Sequence, residues 1–123
     1  MADFDFSRDR RLLTAKDYQF VFSSAELKAA HPQLLMLARP NSGCHARVGL
    51  VISKKHVKLA TARNRIKRLL RESFRQRANQ LPALDIIVLS RPGIAKLDNH
   101  TLTALIEKQW NKLAQRAASN TPQ

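Results

Sequence analysis

Apolar positions recur along this chain in two rhythms. In residues 61–77, Ala62, Ile66, Leu69, Leu70 and Ser73 fall on one arc of a helical wheel, with Phe74 at its edge. That i, i+4, i+7, i+8 spacing predicts an amphipathic helix with one buried stripe. Leu102, Leu105, Ile106, Trp110 and Leu113 keep the same period and predict a last helix, capped by Asp98 or Asn99. Thr14 to Asp17 resembles a capping box, so a short helix should run to about Ser24, with Tyr18, Val21, Phe22 and Ala25 on one face and Phe20 pointing elsewhere. The second rhythm is that of strands. Leu34-Leu-Met-Leu-Ala-Arg39 is a short apolar run ended by Pro40, and Val48, Leu50 and Ile52 alternate with Arg47, Gly49, Val51 and Ser53. The first set should face the core, and the turn chemistry of Asn41-Ser-Gly43 predicts that the two strands form a hairpin. Residues 84–89 are apolar almost without interruption, which predicts a strand buried on both faces.

The predicted order is α-β-β(-β)-α-β-α, the bracketed strand optional. It describes an α+β two-layer sandwich, a mixed sheet with helices on one face. The 123 residues suffice for a single domain with one core. Residues 1–11 lack periodicity and read as a flexible arm, residues 25–33 as a link, and residues 118–123 as a frayed tail.

Charge changes the picture. The net charge is +13 and the pI is near 11.2. Such self-repulsion disfavours a compact state, so it points to a polyanionic partner, nucleic acid or an anionic membrane surface. Lys67, Arg68, Arg71, Arg75 and Asn64 lie opposite the apolar stripe of the 61–77 helix, and Arg63 and Arg65 border it. Glu72 is the one acid there. Like charges stacked on a helix face cost a few tenths of a kcal/mol per pair, which phosphates would relieve. Lys54-Lys-His-Val-Lys58 adds three cations just upstream, and His56 among them suits phosphate contact more than metal binding. No apolar run approaches the ~18 residues of a membrane span, the N-terminus lacks a signal-peptide pattern, and Cys44 stands alone. A cytoplasmic protein is expected.

Catalytic constellations are not legible. The nine acids are scattered except for Asp3, Asp5 and Asp9 in the arm. His31, His45, His56 and His100 lack ligand spacing, and three glycines leave no room for a nucleotide cradle. Trp110 reads as a packing anchor. Tyr18 and Phe22 have two readings, as core or as stacking partners for unpaired bases.

Ile52-Ser-Lys-Lys55 followed by Ala62-Arg-Asn-Arg-Ile-Lys-Arg-Leu-Leu-Arg-Glu72 resembles the protein subunit of bacterial ribonuclease P. Tyr18-Gln-Phe-Val-Phe22, Arg47-Val-Gly-Leu50 and Asp85-Ile-Ile-Val88 extend the resemblance over roughly residues 10–115. The chain departs from the family pattern at Ser24, where relatives often have Gly, and at Leu37, where they often carry Tyr. The resemblance implies a partner, the catalytic RNA of ribonuclease P, which holds the Mg²⁺ ions, and a substrate, precursor tRNA. It implies that Lys54, Lys55, Arg63, Asn64, Arg65, Lys67, Arg68 and Arg71 contact RNA. It further implies that the single-stranded 5′ leader lies in a cleft of Tyr18, Phe22, Gly49, Val51 and Ser53, and that the strand–helix–strand crossover through the basic helix is left-handed, against the general preference. Neither a membrane nor DNA is an expected partner. The alternative is a ribosomal or other structural RNA-binding protein. A helix-turn-helix reader is disfavoured because strands flank the basic helix.

Overall fold

Leu84–Ser90 (β4) is the axis of the sheet. In the computed structural model, which describes residues 15–41, 43 and 45–120, four strands run in the order β1-β2-β4-β3. These are Leu27–Ala29 (β1), Leu34–Pro40 (β2), Arg47–Val51 (β3) and β4. β4 pairs antiparallel with β2 and parallel with β3, while β1 pairs antiparallel with β2. The helices are Ala15–Ser24 (α1), Ala60–Arg77 (α2) and Asn99–Asn120 (α3). The α+β class and the mixed sheet stand as expected, but the third strand ahead of α2 is β1, which forms within residues 25–33 that were expected to be a link.

The expected hairpin does not form. β4 lies between β2 and β3, so these neighbours in sequence never pair. A strand apolar on both faces gains most from a central place, and the loop chemistry supports that insertion. Asn41 N–H bonds the Ala83 carbonyl at 3.0 Å. The Asn41 amide donates to the Asp85 carboxylate at 2.9 Å and to the His45 carbonyl at 3.3 Å. The loop is thus tied to the start of β4 instead of closing on itself.

Period-2 alternation divides the sheet into two faces. Val48, Leu50, Ile86, Val88, Met36, Ala38 and Leu34 pack with Ile66, Leu70 and Phe74 of α2 and Leu102, Ile106, Trp110 and Leu113 of α3. On the other face, Ile87, Leu37, Leu89 and Val51 pack with Tyr18 and Val21 of α1. The expectation of helices on one face therefore holds for α2 and α3 and fails for α1. The cause is in the sequence of β4, whose Ile87 and Leu89 would otherwise remain uncovered.

Polar contacts fix α2 against α3. Trp110 is fully buried, its ring 5.8 Å from that of Phe74. Its indole N–H donates to Ser73 Oγ at 2.8 Å, and Ser73 donates to Glu107 at 2.6 Å. Arg77 closes the network by donating to Glu107 and Asn111. Asp98 caps α3 by accepting the Thr101 N–H at 2.7 Å. Leu59 holds the N-cap position of α2, without a side-chain bond. α3 continues past the expected end at Ala117, which is buried, to Asn120. The Thr14 capping box, the 1–11 arm and Cys44 lie outside the described residues.

Candidate nucleic-acid interface

The chain leaves β3 through a tight turn that presents Lys54 and Lys55 to solvent. The Ser53 carbonyl accepts the N–H groups of His56 and Val57, and Ser53 Oγ accepts the Lys55 N–H at 3.0 Å. Ser90 Oγ receives the Ser53 N–H at 2.9 Å. His56 Nδ1 lies 2.9 Å from the Ser90 carbonyl, which can only accept, so Nδ1 carries the proton. The lysine pair is thereby anchored to the end of β4.

On α2 the basic residues divide into two groups. Arg63 donates to the Val57 and Lys58 carbonyls, both at 2.9 Å. Arg65 donates to Asn99 Oδ1 at 2.7 Å and to the Leu97 and Ala95 carbonyls at 3.1 and 3.3 Å. Both tie the helix to its neighbours. Asn64, Arg68 and Arg71 are exposed and Lys67 is half-buried; the three cations have no carboxylate partner among the described residues. Sequence reasoning ranked all of them together. The signal that separates them was present, since Arg63 and Arg65 border the apolar stripe and so reach the elements packed beside it.

The α1 face of the sheet is built from rows of residues directly opposite one another. Leu37, Ile87 and Gly49 form one row and Leu35, Leu89 and Val51 the next. Tyr18 reaches β3 at Gly49: a Cβ placed there would lie 2.6 Å from Tyr18 Cζ and Oη. Only glycine permits this approach. Tyr18 is half-buried, whereas Phe22, one turn further along α1, is 48% exposed. Tyr18, Gly49 and Val51 are thus brought together, with Ser53 and the lysine turn following along β3 and Phe22 open on the same helix.

A third row, Arg39, Asp85 and Arg47, went unnoticed in the sequence. Arg47 clasps Asp85 with Nε and Nη2 at 2.8 and 2.7 Å. Burial opposes the Asp85 charge, but hydrogen bonds from Arg47 and Asn41 and the charges of Arg47 and Arg39 outweigh it and hold the carboxyl below its ordinary value. Arg39 also stacks on Phe20, 4.1 Å from the ring centre. The signal was a lone acid in an apolar strand.

Among the described residues, no group of three or more His, Cys, Asp or Glu side chains is placed to hold a metal ion, and no helix is long and apolar enough to cross a membrane. An α+β fold with a row of cations on α2 that lack a carboxylate partner among the described residues, and with the aromatics of α1 against the other sheet face, has the features of an RNA-binding protein. The comparisons agree and sharpen this. The family model for ribonuclease P matches residues 6–114. The ribonuclease P protein component of Chromohalobacter salexigens is 53% identical over 92% of this chain and 88% of its own. That of Serratia proteamaculans is 47% identical over 98% of this chain and all of its own. Among solved structures, an RNase P protein mutant of Staphylococcus aureus with defective mRNA degradation activity superposes with a TM-score of 0.78 at 26% identity, covering 91% of this chain and 90% of that one. The RNase P protein of Thermotoga maritima gives 0.71 at 28% identity, covering 85% and 96%. The chain belongs to the ribonuclease P protein family, and its work is RNA binding in tRNA processing.

Proposed function

We propose that this protein joins the catalytic RNA of ribonuclease P in the cytoplasm and holds the 5′ leader of precursor tRNA while the RNA cleaves it. The open row of Lys67, Arg68 and Arg71 carries the proposal. These cations stand on a helix whose roll is fixed from inside, so they present a preset surface to phosphates. Lys54 and Lys55 extend that surface, and Asn64 adds a side chain that both donates and accepts. Arg63 and Arg65 border it with donor capacity left over, since a guanidinium offers five N–H groups.

The leader lies along β3, in the groove between Tyr18 and Phe22 and the Gly49–Val51–Ser53 face. Base–aromatic stacking is worth ~1–3 kcal/mol per base and tolerates any sequence. The Mg²⁺ ions of the reaction belong to the RNA. Among the described residues, Asp85 is engaged by Arg47, Glu107 by Ser73 and Arg77, and Asp98 by the Thr101 N–H, and no three Asp, Glu, His or Cys side chains are grouped, which supports that reading.

Reconstitution tests the proposal. The protein with its cognate RNA and Mg²⁺ should release the leader from precursor tRNA faster than the RNA alone, and the protein alone should cleave nothing. Metal-dependent cleavage by RNA-free protein that survives nuclease controls would overturn it.

A further inference from the structure

α3 carries a second row of cations. Lys108, Lys112 and Arg116 recur at i, i+4 and i+8, about 6 Å apart along the axis. The flank they occupy is not the one that meets α2. Glu107 and Asn111 meet Arg77 of α2. Gln109 donates instead to the Ala29 and Leu34 carbonyls at 2.7 and 3.1 Å, and Arg116 to the Lys28 carbonyl. The row therefore runs along the β1 edge of the sheet. His31, in the turn between β1 and β2, marks where it converges: burial and the charges of Lys108 and Lys112 hold its imidazole below the ordinary value.

Among the described residues, carboxylates do not balance this flank. Glu107 turns to Ser73 and Arg77. Glu26 and Lys28 alternate with Leu27 and Ala29, whose side chains enter the core under α3, so the two charged residues point to the opposite side of the sheet. Lys108 and Lys112 have no ion-pair partner among the described residues. Three like charges one turn apart weaken the helix that bears them, the same imbalance that marks α2.

We infer that the α3 flank, from His31 and Lys108 through Lys112 to Arg116, is a second binding surface for an RNA phosphate backbone, separate from α2. The protein would then bridge two RNA segments, one on each side of α3. The inference rests on the proposed function only in taking RNA as the partner.

Salt-dependent binding to ribonuclease P RNA tests it, with and without precursor tRNA, for wild type, Lys108→Gln/Lys112→Gln and Arg68→Gln/Arg71→Gln. Arg116 is left intact because it also holds Lys28. Each double variant should flatten the log–log salt slope by about 1.4–1.8 units, from 0.7–0.9 per phosphate contact. Flattening by the α3 variant with the RNA alone assigns the surface to that RNA. Flattening only in the presence of precursor tRNA assigns it to the tRNA. An unchanged slope in both arms, while the α2 variant flattens, overturns the inference and leaves the α2 reading intact. An unchanged slope for both variants overturns both readings. A benzophenone at Gln115 gives a second measurement on the native lysines. It should crosslink an RNA segment different from the one reached from Glu72, and no RNA crosslink from Gln115 overturns the inference. So does binding of the lysine row to phosphatidylglycerol vesicles with no effect on RNA.

Discussion

Adding one methyl group at Gly49 probes the groove without touching a charge. The new Cβ would sit 2.6 Å from Tyr18 Cζ and Oη and 2.7 Å from Cε2. Ordinary carbon contacts begin near ~3.5 Å, so the ring must retreat by about 0.9 Å. Gly49 itself is buried beneath that ring, and its strand pairs in register with Ile87 of β4. The strand has little freedom to yield, so Tyr18 moves, and α1 with it. Overpacking of this kind costs about 1–3 kcal/mol. The same displacement takes Tyr18 off the floor where a base would stack, at ~1–3 kcal/mol per base.

Gly49→Ala should therefore lower the urea midpoint and narrow the holoenzyme's preference for precursor over mature tRNA, while leaving affinity for the catalytic RNA unchanged. A double-mutant cycle supplies the decisive reading. In a Tyr18→Ala background the clash is gone, so Gly49→Ala should cost little further stability and leave the remaining preference as it is. If Gly49→Ala alone changes neither stability nor preference, the close approach of Tyr18 to β3 is wrong. If it costs the same with and without the tyrosine, the ring is not what the methyl group meets.

Arg65→Ala and Arg68→Ala should differ in kind. The first removes three donor contacts that hold the start of α3 and should lower the thermal midpoint, at about 1–3 kcal/mol; the second should leave the melt unchanged and flatten the RNA salt slope by about 0.7–0.9. Ser73→Ala strands the Trp110 N–H in the core and should destabilise by about 1–3 kcal/mol in chemical denaturation. Asp85 has a folded pKa below its ordinary 3.8. The stability it contributes is complete above that value and is lost as pH falls below it toward the depressed folded pKa. Asp85→Asn should therefore remove part of the acid limb of a stability–pH curve below about pH 4, and an unchanged limb would show that Arg47 does not stabilise the charge.

The elements were legible because each is a local matter of period. The 61–77 stripe, the alternation of 47–53 and the continuous run of 84–89 settle at or near their expected residues. The sheet order was not legible. Nothing between Pro40 and Arg47 announces that Asn41 bonds Ala83 and, 44 residues further along the chain, Asp85. β1 escaped notice because Leu27–Ala29 is three residues long, too short for a period to show. The side of α1 was set by Ile87 and Leu89, whose burial on a second face implied a cover that the sequence did not name. The site was legible as a charge pattern and a set of aromatics. The border positions of Arg63 and Arg65 marked them as the arginines able to hold the fold, but their partners, Asn99, Leu97 and Val57, are contacts that no helical wheel contains.

That division of arginines bears on how a chain of charge +13 folds at all. Repulsion among cations is reduced wherever a guanidinium is surrounded by carbonyl and carboxylate oxygens, and Arg47, Arg63, Arg65 and Arg77 are placed in that way. The oxygens they meet sit on the elements packed against α2 and at the ends of strands. The same contacts that quiet the charge also lock the helix in rotation. What remains unpaired among the described residues of α2 is then confined to the face opposite the Ile66–Leu70–Phe74 stripe. A lysine at position 65 would keep the charge but offer three donors from one nitrogen, without the planar fork that spans Asn99 and Leu97. Arg65→Lys should accordingly loosen the start of α3 nearly as much as Arg65→Ala. Hydrogen exchange at the amides of residues 99–102 would show it as faster opening in both variants. Wild-type protection in Arg65→Lys would mean that charge alone holds the joint, and that the fork is incidental.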